Sequence, residues 1–138
     1  MTNTEITTLL EKWMDLLGLS EWHLEWVWAE DDEHLEGSAE IICSNASKEA
    51  ILGIRKDIKH EELEKIILHE LVHMLLAPLD DAIDAYAISS SSEMKDDTYA
   101  VICNVEEAVV DKIAKLLYKR VAEKEIPIVE FHEGENNE

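Results

Sequence analysis

The sequence is poor in the residues that bend or cross-link a chain. It contains four glycines, two prolines and two cysteines among 138 residues. So few glycines and prolines exclude a collagen-like chain and a flexible linker protein. Cys43 and Cys103 lie far apart in the sequence and form no disulfide framework. We therefore expect a reducing, cytoplasmic compartment.

Long apolar runs are also missing. No stretch approaches the roughly 18 consecutive apolar residues that a membrane-spanning helix needs. The first residues lack the basic region and the following apolar segment of a secretory signal. The sequence therefore predicts neither a membrane-spanning segment nor export.

Basic residues are scarce, with 12 Lys and Arg against 32 Asp and Glu and a formal net charge of −20. Binding to nucleic acid or to an anionic membrane depends on Lys and Arg side chains. We therefore expect neither as a partner. Solubility is the simplest explanation of the charge. A protein that mimics nucleic acid and binds a basic partner is an alternative.

The length and the 46% hydrophobic content predict one domain with its own core. No internal repeat or long linker divides the chain. We assign residues 1–124 to this domain and residues 125–138 to an acidic C-terminal tail.

The acidic run at residues 30–37 lacks the ligand spacing of an EF-hand and predicts a solvated turn rather than a calcium site.

Periodicity predicts an α+β fold with a small antiparallel or mixed sheet. Alternation of apolar and polar side chains predicts strands at residues 22–28, 39–43 and 49–55. Helical spacing predicts helices at residues 5–17, 60–77 and 97–124. We expect Gly18 and Pro78 to end the first two helices, and residues 80–97 stay unassigned. The four tryptophans are expected to pack between the first helix and the sheet: Trp13, Trp22, Trp26 and Trp28.

The chemistry of the chain is concentrated at residues 66–76, which are apolar apart from His69, Glu70 and His73. A helix that is apolar on every side lies inside a protein, where imidazole and carboxylate groups need partners. The two histidines are one turn apart on one face, a spacing that suits a single zinc ion. Glu70 would act as the general base for a water molecule. The H-E-x-x-H pattern therefore predicts a zinc-dependent hydrolase. The alternative is that both histidines are core residues that form hydrogen bonds with backbone groups.

A catalytic zinc site needs a third protein ligand. The extended motif with a further Gly and His is absent, so we expect a carboxylate further along the chain. The long predicted helix offers two adjacent ones, Glu106 and Glu107.

The motif His-Glu-Leu-Val-His at 69–73, followed by Glu-Ala-Val-Val-Asp at 107–111, resembles the gluzincin metallopeptidases. The small size is similar to minimal gluzincins and to short phage- or plasmid-type metallopeptidase-like proteins. The resemblance implies a zincin-like fold, with Glu107 as the third zinc ligand and Asp111 as the hydrogen-bond partner that orients His69. It also implies a metalloendopeptidase-like hydrolase that acts on peptides or proteins. A catalytically silent zinc domain for regulation or partner binding is the alternative.

The resemblance carries three further expectations. The strand at 49–55 would be an edge strand that pairs with an extended peptide, and an interior strand is the alternative. Tyr86 and Tyr99 are candidates for stabilising the oxyanion. The tail, which carries apolar residues beside His132 and Glu133, would lie in the cleft and keep the protein latent, unless it packs as one more strand or cap.

Overall fold

The computed structural model describes residues 2–29, 37–89 and 92–121. Within these residues the chain forms four helices and a mixed sheet of three strands, which confirms the α+β class. In chain order the elements are α1 (Asn3–Leu16), β1 (His23–Ala29), β2 (Ala39–Ser44), β3 (Glu49–Arg55), α2 (His60–Leu75), α3 (Ala77–Ser89) and α4 (Ser92–Val121).

Helix α1 has a defined signal at each end. Thr2 and Glu5 form a capping box, in which each side chain accepts a hydrogen bond from the backbone N–H of the other residue. At the other end Gly18 adopts a φ of +69°. The N–H of Gly18 donates to Asp15 O, and that of Leu19 donates to Met14 O. These two bonds form the Schellman motif, so the prediction that Gly18 ends this helix is confirmed.

The sheet has the strand order β1-β3-β2, in which β1 pairs with β3 in parallel and β2 pairs with β3 antiparallel. The predicted strands are confirmed with shifts of one residue at most. The expectation that the strand at 49–55 lies at an edge is wrong, because β3 has a partner on each side. Among the described residues, β2 is the edge strand that packs against α2.

One face of the sheet packs against the helices. Trp13 and Trp22 are buried, while Trp26 and Trp28 are partly buried against the same core. The ring N–H groups of Trp26 and Trp28 donate to side-chain oxygens of α1, on Thr7 and Asn3 respectively. The tryptophans therefore pack between α1 and the sheet, as the sequence predicts.

Helix α2 is the centre of the core and contacts α1, α3, α4 and β2. Its buried residues lie on more than one face of the helix: Leu63, Ile67, Leu68, Leu71, Val72 and Met74. Glu64 ties α2 to α1, since its Oε1 accepts from Lys12 Nζ at 2.7 Å and from Trp13 Nε1 at 2.9 Å. The motif helix is therefore packed against other elements on several sides.

The C-terminal half of the chain is more helical than predicted. Helix α2 ends at Leu75, and Pro78 lies in the first turn of α3 rather than directly after α2. Proline fits there because the first N–H groups of a helix have no intrahelical partner. Residues 77–89 form α3, and α4 begins at Ser92, earlier than the predicted start at residue 97.

Some predictions fall on residues that are not described. The acidic run at 30–36 and the tail at 125–138, with His132 and Glu133, lie outside the described residues. Among the helices that are described, none is both long enough and apolar enough to cross a membrane.

Candidate metal centre

Helices α2 and α4 pack side by side in opposite directions. His73 lies close to Glu106, His69 close to Asp111, and Lys65 close to Tyr118.

The side of α4 that faces α2 includes the buried residues Val110 and Ala114, which share a helix face with Glu107 because of their spacing. This packing turns Glu107 towards the two motif histidines.

Three side chains converge at this contact. His69 Nε2 lies 2.8 Å from Glu107 Oε1, and His73 Nε2 lies 3.0 Å from Glu107 Oε2. The two imidazole rings are 5.1 Å apart between centroids. One donor atom from each residue lies within 4.8 Å of the other two, so His69, His73 and Glu107 could together hold a metal ion. These are the three ligands named from the sequence.

The far side of each histidine also faces a carboxylate. His69 Nδ1 lies 3.9 Å from Asp111 Oδ1, and His73 Nδ1 lies 3.6 Å from Glu106 Oε1. Glu106 is the more enclosed of the two adjacent glutamates, with 14% of its side chain exposed against 58% for Glu107. The two neighbouring glutamates therefore differ in position: Glu107 faces both Nε2 atoms, and Glu106 lies beside the His73 ring.

Asp80 extends this arrangement to helix α3. Burial raises the pKa of its carboxyl to about 7, and a hydrogen bond with Glu106 acts in the same direction. Asp80 and Glu106 thus connect α3 to His73, one of the candidate metal ligands. Sequence reasoning missed Asp80, because the region at 80–97 was unassigned and the contact depends on the turn between α2 and α3.

Glu70 lies next to the three converging side chains and is held by the edge strand. Its Oε2 accepts a hydrogen bond from the backbone N–H of Ile41 at 3.1 Å. Burial raises the pKa of Glu70 to about 7, while the Ile41 hydrogen bond acts in the opposite direction. No hydrogen bond from the described residues reaches its Oε1, which is therefore available to a molecule in the cleft.

Burial also lowers the pKa of His73. The neutral ring is thus favoured, and neutral imidazole is the form that binds a metal ion. The Glu107 charge opposes the burial effect.

Two cavities meet at this centre. The first, which we call the lysine cavity, has a volume of about 590 Å³ and is lined by three lysines, by the carboxylates of Glu62 and Asp111, and by His69 and Tyr118; the lysines are Lys65, Lys115 and Lys119. The second, the acidic cavity, has a volume of about 480 Å³ and is lined by Glu40, His73 and Asp80 among others. Glu70, Glu107 and Ala39 line both cavities. The cleft therefore extends to either side of the candidate metal ligands.

Neither tyrosine suggested for the oxyanion lines these two cavities. The Tyr99 hydroxyl donates to Asp84 Oδ1 at 3.0 Å, and hydrogen bonding to Asp84 raises the pKa of Tyr99 to about 12. Tyr86 lies on α3 with most of its surface exposed. Tyr118 is the tyrosine of the lysine cavity, and it was not predicted.

Replacing Asp111 with alanine is expected to weaken zinc binding about 10- to 100-fold, because the carboxylate that faces His69 Nδ1 is lost. Competition against a fluorescent zinc chelator measures the change. Lys112→Ala, one position along the same helix, is the control and should bind zinc as the unmodified chain does. An unchanged affinity in Asp111→Ala would show that the salt bridge from Asp111 to Lys115 is its main role.

The structure thus brings together His69, Glu70, His73 and Glu107, with Asp111 beside the first histidine. Tyr86 and Tyr99 line neither of the two cavities, and Tyr99 lines a neighbouring cavity together with Asp80 and Glu106. The chain matches no protein-family model, no curated protein and no solved structure.

Proposed function

We propose that this chain is a zinc-dependent metallopeptidase with a zincin-like fold. The observation that carries the proposal is the convergence of both Nε2 atoms on the Glu107 carboxylate, with Glu70 held beside them by Ile41. Two imidazoles and one carboxylate, with a position left open for water or substrate, are a donor set of catalytic zinc sites. The resemblance of residues 69–73 and 107–111 to gluzincins agrees with this assignment.

When bound, zinc supplies Lewis-acid polarisation of a carbonyl group and makes a coordinated water molecule acidic at neutral pH. Glu70 accepts a proton from the attacking water, whose oxygen forms a bond to the peptide carbonyl carbon. The C–N bond then breaks, and Glu70 returns the proton to the leaving nitrogen. The products are a carboxylic acid and an amine, so atoms and charge balance.

Strand β2 supports binding of an extended peptide. The N–H of Arg55 on β3 donates to Ser38 O, and antiparallel pairing alternates the direction of backbone groups along a strand. The backbone groups of Ala39, Ile41 and Cys43 therefore point to the free edge, in keeping with the bond from Ile41 N to Glu70. A peptide that adds to this edge would cross the cleft beside Glu70.

The test is hydrolysis of a mixed peptide pool by full-length protein, with products identified by mass spectrometry. We expect cleavage by the zinc-loaded protein, loss of cleavage after removal of metal by a chelator, and recovery on adding one equivalent of zinc. His73→Ala should show no cleavage under any of these conditions.

Two outcomes would contradict the proposal in different ways. Protein that holds zinc but cleaves no peptide would favour a catalytically silent zinc domain. Cleavage that persists in His73→Ala and in chelator would show that another group or a contaminant performs the reaction.

A further inference from the structure

Helix α4 has an apolar face on the side that points away from α2. Its buried residues Val110 and Ala114 pack against α2, and the opposite side of the helix is exposed to solvent. Four apolar side chains on that side are 44% to 60% exposed, with the exposed Ala108 among them: Val101, Val105, Val109 and Leu116. Intervals of four and seven residues place them along one face of the helix. We call these five residues the α4 stripe.

The α4 stripe is free of carboxylates, although the chain has a formal net charge of −20. From residue 98 to its end, α4 carries three carboxylates: Glu106, Glu107 and Asp111. Each of them lies beside one of the two motif histidines, on the side of the helix that faces α2. Exposed apolar side chains that adjoin one another mark interaction surfaces. On this face two copies of the acidic chain could approach each other without opposing carboxylates.

Opposite charges lie beyond the two ends of the α4 stripe. Asp97 is one turn before Val101, and Lys119 is about one turn after Leu116. Both are exposed, and neither forms an ion pair with another residue that the structure describes. At about 100° per residue, their side chains lie on the same side of the stripe. They are about 33 Å apart along the helix, so they do not pair within one chain.

We propose that two copies of this chain form a dimer through the α4 stripe, with their α4 helices antiparallel. A two-fold symmetric contact joins the same face of both copies, so each pair of facing residues occurs twice. When the two ends of the stripe are paired, Val101 meets the partner's Leu116. Ala108 then meets the partner's Val109 at the centre, where the small alanine side chain lets the helices approach closely.

The charges at the ends fit the same register as the apolar residues. Pairing the ends of the stripe places Asp97 beside the partner's Lys119, on the same side of the contact. Lys112 is the charged residue within the stripe, and it meets the partner's Val105. A lysine can lay its aliphatic stem over an apolar side chain while its ammonium group reaches water. The apolar pattern and the end charges therefore agree on one antiparallel arrangement.

The contact is narrow, so we expect a reversible dimer rather than a permanent one. From Asp97 to Arg120 the helix is about 36 Å long. At physiological salt the Debye length is about 8 Å, so carboxylates far from the contact add little repulsion. The inference does not rest on the proposed function, because Glu107 and the cleft lie on the other side of α4.

Sedimentation velocity of the full-length protein, up to about 0.5 mM at physiological salt, measures the dimer. We expect a monomer–dimer equilibrium with a Kd of about 10 to 100 µM, equal with and without zinc. Val105→Glu should weaken the dimer at least about 10-fold, because two carboxylates enter the contact. Asn104→Glu adds the same charge one position away, beside the stripe, and is the control that should keep the Kd of the unmodified chain.

Charge reversal tests the antiparallel register. Asp97→Lys and Lys119→Glu should each weaken the dimer about 3- to 10-fold, and the double variant should recover most of the affinity. Thermal melting of dilute protein checks that each variant folds, because Lys119 lies in the last turn of α4, where a cation stabilises the helix dipole. Because the two residues are distant within one chain, recovery supports a contact between copies.

Three outcomes would overturn the inference. A monomer at every concentration would mean that the stripe binds a different partner or the chain's own residues 122–138. A dimer that Val105→Glu leaves unchanged would form through another surface. A dimer that Val105→Glu weakens, but that the double charge reversal does not restore, would contradict the antiparallel register.

Discussion

Replacing Glu107 with alanine should remove bound zinc almost completely, whereas replacing the adjacent Glu106 should leave most of it. Glu107 presents one oxygen to each Nε2 atom, at 2.8 and 3.0 Å. Glu106 faces the opposite nitrogen of His73 at 3.6 Å and is hydrogen-bonded to Asp80. Loss of an orienting group costs about 10- to 100-fold in metal affinity. We therefore expect about 10-fold for Glu106→Ala and more than about 100-fold for Glu107→Ala.

Zinc content per chain by mass spectrometry, followed by competition against a chelator of known affinity, measures both variants. His73→Ala, which lacks one predicted ligand, gives the zinc content and affinity expected when the site is lost. Thermal melting of the metal-free proteins checks that each variant folds. If Glu106→Ala loses zinc while Glu107→Ala retains it, the assignment of the third ligand is wrong by one residue.

The spacing of apolar residues in the sequence distinguishes Glu107 from Glu106. Val110 and Ala114 follow Glu107 at the spacing of one helix face, and both are buried against α2. A residue on the buried face of α4 meets the motif helix, so the apolar spacing itself favours Glu107. The orientation of the two histidine rings towards that carboxylate, however, depends on how α2 and α4 pack.

The edge position expected for the strand at 49–55 was wrong, and the alternative of an interior strand is correct. Each strand alternates, so each can be an edge or a centre by periodicity alone. The outer face of β3 carries Ile51 and Gly53 between the charged residues Glu49 and Arg55, and Ile51 and Gly53 pair with Glu25 and Val27 of β1. This mixed face is like that of β1, so periodicity does not distinguish the central strand. The parallel pairing of β1 with β3 joins segments distant in sequence and also leaves no local signal.

The contacts that sequence reasoning missed are all between elements. The bond from Ile41 N to Glu70 depends on how the edge strand packs on α2, and no side-chain pattern encodes a backbone donor. Asp80 meets Glu106 because α3 turns back towards α4. The sequence predicts which side chains lie together better than it predicts what surrounds them.

Replacing Glu70 with glutamine is expected to abolish peptide hydrolysis while leaving the metal centre intact. A general base contributes about 10²- to 10⁴-fold to such reactions, and glutamine cannot accept the proton of water. We therefore expect kcat to fall at least about 100-fold. Zinc content should not change, because the three residues that could hold the metal do not include Glu70.

The substitution should not weaken the fold. An amide oxygen can accept the hydrogen bond from Ile41 N that Glu70 accepts at 3.1 Å, and a neutral amide is easier to bury than a carboxylate. We expect a melting temperature equal to or above that of the unmodified chain. Loss of activity together with equal or greater stability would separate a role in the reaction from a role in folding.

Glu61→Gln is the matched control, since it removes one exposed carboxylate from the first turn of the same helix, outside both cavities. It should cleave peptides at the rate of the unmodified protein. Steady-state rates, zinc content and thermal melting are measured on all three proteins in one buffer. If Glu70→Gln cleaves peptides at a rate within a few-fold of the unmodified protein, Glu70 is not the general base of the reaction. Loss of zinc from Glu70→Gln would instead mean that Glu70 binds the metal, and the ligand set would have to be reassigned.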